Sequence, residues 1–114
     1  MTSAIHLTAA QLAIVQEILQ RWLPQAARVS VFGSRATGIG LKPHSDLDLL
    51  VEASAPLPLS ALAELREAFS QSNLPFVVDL LEQHHATPDF LAALAKAGSS
   101  PLAVPDRATT RAAA

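Results

Sequence analysis

Apolar positions recur along this chain at two periods, and the changes between them mark out its elements. Leu12, Val15, Leu19 and Trp22, joined by Ile18, return at three- and four-residue spacing, the stripe of an amphipathic helix. Thr8 with Gln11 three positions on has the form of a capping box that would start this helix, and Pro24 would end it. At 28–32 the run "RVSVF" predicts a short β-branched strand, broken by Gly33, after which "SRATG" predicts a short helix. A second strand is predicted over 45–52, "SDLDLLVE", with a proline-punctuated connection behind it. From Ser60 to about Ser72 the spacing of Leu62, Leu65 and Phe69 is helical again. "NLP" is a turn, and "FVVDLLE" at 76–82 predicts a third strand. Thr87-Pro88-Asp89 starts a last helix with proline at its first position, leading into Phe90, Leu91 and Leu94, and Gly98 closes it.

The element order, α-β-β-α-β-α, predicts an α/β fold: a small mixed sheet of three or more strands packed with helices. With 114 residues, half of them hydrophobic and mostly Ala and Leu, the chain has enough for one core and no large accessory module. The expected domain is 1–98. Residues 99–114, with two prolines and no periodicity, are expected to be a mobile tail whose Leu102 and Val104 could dock on a partner. The absence of cysteine excludes disulfides, thiolate metal sites and cysteine nucleophiles. A formal net charge of −2 speaks against a broad nucleic-acid surface and leaves room for one bound nucleotide. No apolar run approaches the ~20 residues of a membrane span, and no basic leader with an apolar core opens the chain, so the expectation is a cytoplasmic protein without membrane contact.

The chemistry concentrates in "VFGSRATGIGLKPHSDLDLLVE", residues 31–52. Side chains alternate along a strand, so Asp46 and Asp48 would share one face with Cα atoms roughly 6.5 Å apart, while Leu47, Leu49 and Val51 enter the core. Two carboxylates so close raise each other's pKa unless a cation lies between them. Mg²⁺, a hard ion that takes carboxylate and phosphate oxygens, is the obvious candidate. Asp79, in "VVDLL", is a third charge inside an apolar strand. If that strand lies beside 45–52 in register, three carboxylates come together, a set able to hold two metal ions about 3.5–4 Å apart for displacement at phosphorus. Gly33 and Ser34, between a strand and a helix start, would offer backbone N–H groups and a hydroxyl to phosphate, and Arg35 would add charged contacts. A P-loop is ruled out, because Ile39-Gly40 stands where Lys-Ser/Thr belongs. Gly38-Ile39-Gly40 lacks the third glycine of a dinucleotide fingerprint and is turn chemistry.

This stretch resembles the signature of the DNA polymerase β-like nucleotidyltransferases: Gly-Ser, a spacer of about ten residues, then Asp-x-Asp in an apolar strand, with a later carboxylate matched by Asp79. The resemblance spans roughly residues 28–82. In its brevity the chain looks most like the minimal nucleotidyltransferases (MNT proteins), which are typically encoded beside a HEPN-domain protein as a toxin–antitoxin pair. The resemblance implies a polymerase β-like nucleotidyltransferase fold and transfer of AMP from ATP with Mg²⁺, to a tyrosine hydroxyl of a HEPN ribonuclease toxin that is thereby silenced. It implies that Gly33 and Ser34 bind the triphosphate and that Asp46 and Asp48 hold the metals. Asp79 would polarise the acceptor or hold the catalytic metal. Many relatives carry a second arginine where this chain has Thr37. Larger members that modify antibiotics or RNA carry an acceptor domain, so here the acceptor site is expected from a partner protein. The rival readings are an antitoxin that acts by binding alone and a small-molecule nucleotidyltransferase.

Each residue also has a plainer reading. Asp46 and Asp48 can be edge-strand charges that deter aggregation. Asp79 can end a strand or cap a turn, and Arg35 can be a solvated helix residue. Lys42 and His44 fit an ordinary surface loop. His84-His85 lacks metal-ligand spacing and His6 stands alone, so structural or exposed roles are expected for all three. Trp22 belongs with the helix stripe and is expected in the core.

Overall fold

The capping box forms as the sequence implies. In the computed structural model, which describes residues 5–23 and 27–104, the Thr8 hydroxyl accepts the Gln11 N–H. The Gln11 side chain in turn accepts the Thr8 N–H, at the head of α1, Ala9–Trp22. Strand β1 (Arg28–Phe32) follows, then a single helical turn, α2 (Ser34–Thr37), and strand β2 (Leu47–Glu52). Helix α3 (Leu59–Ser70), β3 (Val78–Glu82), a 3₁₀ turn at Gln83–His85, α4 (Pro88–Ala97) and β4 (Ser100–Leu102) complete the described chain. Pro24 and residues 105–114 lie outside it.

The four strands form one mixed sheet in the order β3-β2-β1-β4. β1 runs antiparallel to both β2 and β4, and β2 runs parallel to β3 through the α3 crossover. Alternation along the strands decides the faces. Val29 and Val31 of β1, Leu47, Leu49 and Val51 of β2, and Leu102 of β4 are buried on one face. That face packs with Val15 and Leu19 of α1 and Leu62, Leu65 and Phe69 of α3. Asp48 and Asp79 fall on the alternate positions and are aligned with each other in the β2–β3 ladder.

Several boundaries differ from expectation, each for a local reason. β2 begins at Leu47 because the Ser45 N–H is held in a turn by Lys42 O (3.1 Å) and its carbonyl is taken by the Arg35 side chain. β3 begins at Val78, since Phe76 lies under the Arg35 guanidinium instead of joining the ladder. α3 stops at Ser70 because Ser72 turns back, its N–H and hydroxyl both donating to Phe69 O. The expected tail from residue 99 is corrected for its first residues. Ser100–Leu102 is a strand on β1, Leu102 is 4% exposed, and Val104 packs against the core, so neither apolar residue is free for a partner. Trp22 is corrected as well: it sits at the end of α1, 41% exposed, where α1 and α3 line a shallow groove. Among the described residues no helix is long and apolar enough to cross a membrane.

Candidate functional site

The turn after β1 is built around Gly33. Its φ of +74° and ψ of −154° are open in practice to glycine alone. A second constraint is independent of the first. Phe32 stands opposite Asp48 in the β1–β2 ladder, so the chain leaves β1 directly over that carboxylate. A Cβ on Gly33 would lie 2.5 Å from Asp48 Oδ2. The glycine therefore brings backbone and acid side chain together at a distance no other residue permits. Gly33 O accepts the N–H groups of Ala36 (3.0 Å) and Thr37 (3.1 Å), and Gly38, left-handed at φ +79°, closes α2 with its N–H on Ser34 O. The first N–H groups of a helix have no partner within it. With those of Ala36 and Thr37 taken, the amides of Ser34 and Arg35 remain to face an anion beside Asp48. Thr37, which replaces an arginine common in the resembling family, has a turn role: its hydroxyl bonds Gly33 O and accepts the Ile39 N–H.

The structure brings the expected acids into one field. Asp48 and Asp79 are direct neighbours on parallel strands, and Asp46 immediately precedes β2. Desolvation raises the Asp48 pKa above its ordinary 3.8, and the charges of Asp79 and then Asp46 raise it further. Asp46 and Asp79 themselves are exposed. Among the described residues no three acidic or histidine side chains stand together at metal-ligand spacing. The three carboxylates thus share an electrostatic field without forming a closed cage, and their hard oxygen donors and unbalanced negative charge fit a divalent cation of the Mg²⁺ type. No histidine is needed for that donor set.

Arg35 is where the structure departs most from expectation. Instead of reaching toward the Gly33 turn, its side chain is buried at 5% exposure. Nε donates to Ser45 O at 2.9 Å, Nη1 to His6 O at 2.9 Å and Nη2 to Pro43 O at 3.1 Å. The guanidinium carbon lies 4.0 Å from the centre of the Phe76 ring. A phosphate-binding role for this side chain is corrected on that geometry, since its fork is already filled by carbonyl oxygens. Burial also lowers its pKa from the usual guanidinium value.

The remaining polar residues sort as the sequence implied, with two additions. Lys42 is exposed in the loop, and His44 Nδ1 donates to Pro75 O at 3.1 Å. His6 is exposed but its ring packs against the Gly38 turn, and its N–H donates to Arg35 O. His84 and His85 lie on a different part of the molecule, both facing the buried Glu82. Phe76 and the Gly33–Asp48 approach are the features the sequence did not disclose. A glycine directly after a strand was the only signal for the second, and Phe76 gave none.

A nucleotidyltransferase domain model matches residues 12–96, three quarters of the chain and all of the site just described. The chain belongs to the nucleotidyltransferase domain family. A probable protein adenylyltransferase MntA from Haemophilus influenzae is 46% identical over 80 residues, covering 70% of this chain and 68% of that protein. Among solved structures, a chain of a toxin–antitoxin crystal structure with AMP-PNP superposes with a TM-score of 0.64 at 24% identity, covering 84% of this chain and 75% of its own. A chain of the complex of a tri-AMPylated Shewanella oneidensis HEPN toxin with an MNT antitoxin gives 0.56 at 21% identity, covering 87% and 77%. These two likenesses establish the shared fold, an α/β arrangement with one mixed sheet packed with helices. The family membership makes the chain a nucleotidyltransferase.

Proposed function

We propose that this nucleotidyltransferase is the antitoxin of a toxin–antitoxin pair and transfers AMP from ATP to a tyrosine hydroxyl of a cognate HEPN-domain toxin, silencing it. The observation that carries the reading is the Gly33 backbone set against Asp48, with Asp79 beside it in register, in a chain 46% identical to a probable protein adenylyltransferase. Gly33 and Ser34 would receive the triphosphate, the free Ser34 and Arg35 amides and the Ser34 hydroxyl facing its oxygens. Only the backbone of Arg35 takes part in that cradle.

Asp46, Asp48 and Asp79 would hold Mg²⁺, two ions in the fullest form of the site. Bound there, Mg²⁺ supplies Lewis acidity, lowering the pKa of the acceptor hydroxyl and neutralising charge on the phosphates. The acceptor oxygen forms a bond to the α-phosphorus as the bond from that phosphorus to the bridging oxygen breaks, and pyrophosphate leaves with the electron pair. Asp79, exposed and next to Asp48, would take up the hydroxyl proton or orient the acceptor. Asp48, half-buried, lies against the Gly33 backbone on one side and beside Asp79 in the β2–β3 ladder on the other, which limits how far its carboxylate can move.

The test is the intact mass of a candidate cognate HEPN-domain protein after incubation with this chain and Mg-ATP. A gain in whole AMP units, absent with Asp48→Asn, is the expected result. A tight complex with no mass gain would replace catalysis by inhibition through binding. Labelling of a small-molecule acceptor without any protein partner would move the activity to another substrate class.

A further inference from the structure

The sheet fixes Asp48 and Asp79 as ladder partners, whereas Asp46 hangs from a loop outside it and Asp79 follows directly on an irregular segment. Asp46 lies one residue before β2, at the end of the loop 41–46, and Asp79 is the second residue of β3, just after the irregular segment 74–77. Within the loop, the described hydrogen bonds join Lys42 N to Ser45 Oγ and Ser45 N to Lys42 O, which shape the turn without anchoring it. The described anchors run instead to Arg35 and, through His44 Nδ1, to Pro75 O. Arg35 grips the carbonyls of Pro43 and Ser45, the latter in the peptide unit that leads directly into Asp46. Its flat face lies on Phe76, in the segment that leads into β3. Its third bond, to His6 O, and the return bond from His6 N–H to Arg35 O lock the guanidinium from behind. Because Arg35 belongs to α2, its backbone amide also lies in the turn proposed above to receive phosphate.

We infer that Arg35 is a positioning residue for the divalent-cation site, tying the phosphate cradle, the Asp46 loop and the approach to Asp79 into one rigid unit. Its side chain touches neither nucleotide nor metal. The inference rests on the proposed nucleotidyl transfer for its meaning, though not for its test. A planar fork with three separately directed donors and a stacking face is what the site requires, and lysine offers neither. Residues that orient metal ligands typically contribute a factor of about 10–100 in metal affinity.

The experiment compares the wild-type chain with Arg35→Lys and Phe76→Leu, after circular dichroism and thermal melting establish that each is folded. Mn²⁺ is titrated against each protein in the presence of AMP-PNP and free ion followed by its paramagnetic resonance signal. ATP affinity is measured separately in EDTA, and the Mg²⁺ midpoint of transfer is measured with the HEPN partner. For Arg35→Lys the Mn²⁺ affinity should weaken about tenfold and the Mg²⁺ midpoint rise by a similar factor, with ATP affinity in EDTA unchanged. Phe76→Leu, which keeps the carbonyl bonds, should shift both in the same direction by less. It serves alone if the lysine variant does not fold. Unchanged Mn²⁺ affinity in a folded variant would overturn the inference. A fall in metal-free ATP affinity with the Mn²⁺ response intact would overturn it too, returning Arg35 to the role of phosphate ligand. Failure of the wild-type protein to label its partner would count against the proposed function only, because the Mn²⁺ titration reads the positioning role without transfer.

Discussion

Gly33 and Asp48 constrain each other, and each can be tested by a single atom change. Alanine at Gly33 meets a positive φ, which costs roughly 1–2 kcal/mol for a residue with a Cβ. It also meets the Asp48 carboxylate, which must move to admit it. Since misplacement of a reacting group by about 1 Å can lower a rate ~100-fold, Gly33→Ala should reduce transfer by about that factor as it lowers the melting temperature. Normal transfer by this variant would show that the approach has no catalytic consequence. Asp48 makes the opposite prediction for stability. Its folded-state pKa is raised, so the folded protein binds the proton more tightly than the unfolded chain, and stability is lost as pH rises from the unfolded value near 3.8 through the folded value. Asp48→Asn should therefore raise the metal-free melting temperature at neutral pH and leave it unchanged at about pH 3, where both states carry the proton. A melting temperature that falls at neutral pH would mean that Asp48 makes a structural contact outweighing its electrostatic penalty.

At the level of elements, what was legible in the sequence was whatever local chemistry determines. The Thr8 capping box, the Thr87 cap with Pro88 behind it and the alternation of Leu47, Asp48 and Leu49 all act within a few residues, and all are found where the sequence puts them. The strand placement of Asp48 and the Gly33 turn were legible for the same reason, since strand alternation and a Gly break are short-range facts. β4 was not. Three residues with a proline among them have no strand signature, and Ser100–Leu102 becomes a strand only because β1 has an open edge to receive it. Arg35 was hidden more deeply: its partners are backbone carbonyls at 6, 43 and 45, and carbonyls carry no residue type. A sequence can show that an arginine is present, but the direction of its fork is set by the assembled loops. The strand assignment leads to a measurable outcome. Leu102, buried at 4% exposure against Val29, should cost about 2–4 kcal/mol when cut to alanine, the range for large-to-small changes in a packed core. Ala103→Ser, at an exposed neighbouring position, is the control and should change little. An effect of Leu102→Ala no greater than the control's would restore the picture of a free tail.

Across the whole molecule, the negative field of the three acids opposes folding, and a cation and nucleotide bound in the proposed site would relieve it. The sheet places Asp48 beside Asp79 on strands brought together by the α3 crossover, so the repulsion is imposed by topology and cannot relax without loss of the fold. Binding then has a large effect on stability. A ligand at about 100 times its dissociation constant adds roughly 2.7 kcal/mol. In a domain of this size each kcal/mol moves the melting temperature by about 4–8 °C, so Mg²⁺ with AMP-PNP should raise it by on the order of 10–20 °C. EDTA should remove most of that gain, because without the cation the triphosphate adds negative charge to the three acids. Asp48→Asn should begin from a higher metal-free melting temperature and gain far less on adding Mg²⁺ and AMP-PNP, so the two curves converge or cross as ligand is added. Differential scanning calorimetry across a ligand series measures this directly. An Asp48→Asn protein that gains as much as the wild type would place the cation elsewhere. One that loses stability without ligand would show that the acids support the fold rather than oppose it, and the functional explanation for the paired aspartates would lose its physical ground.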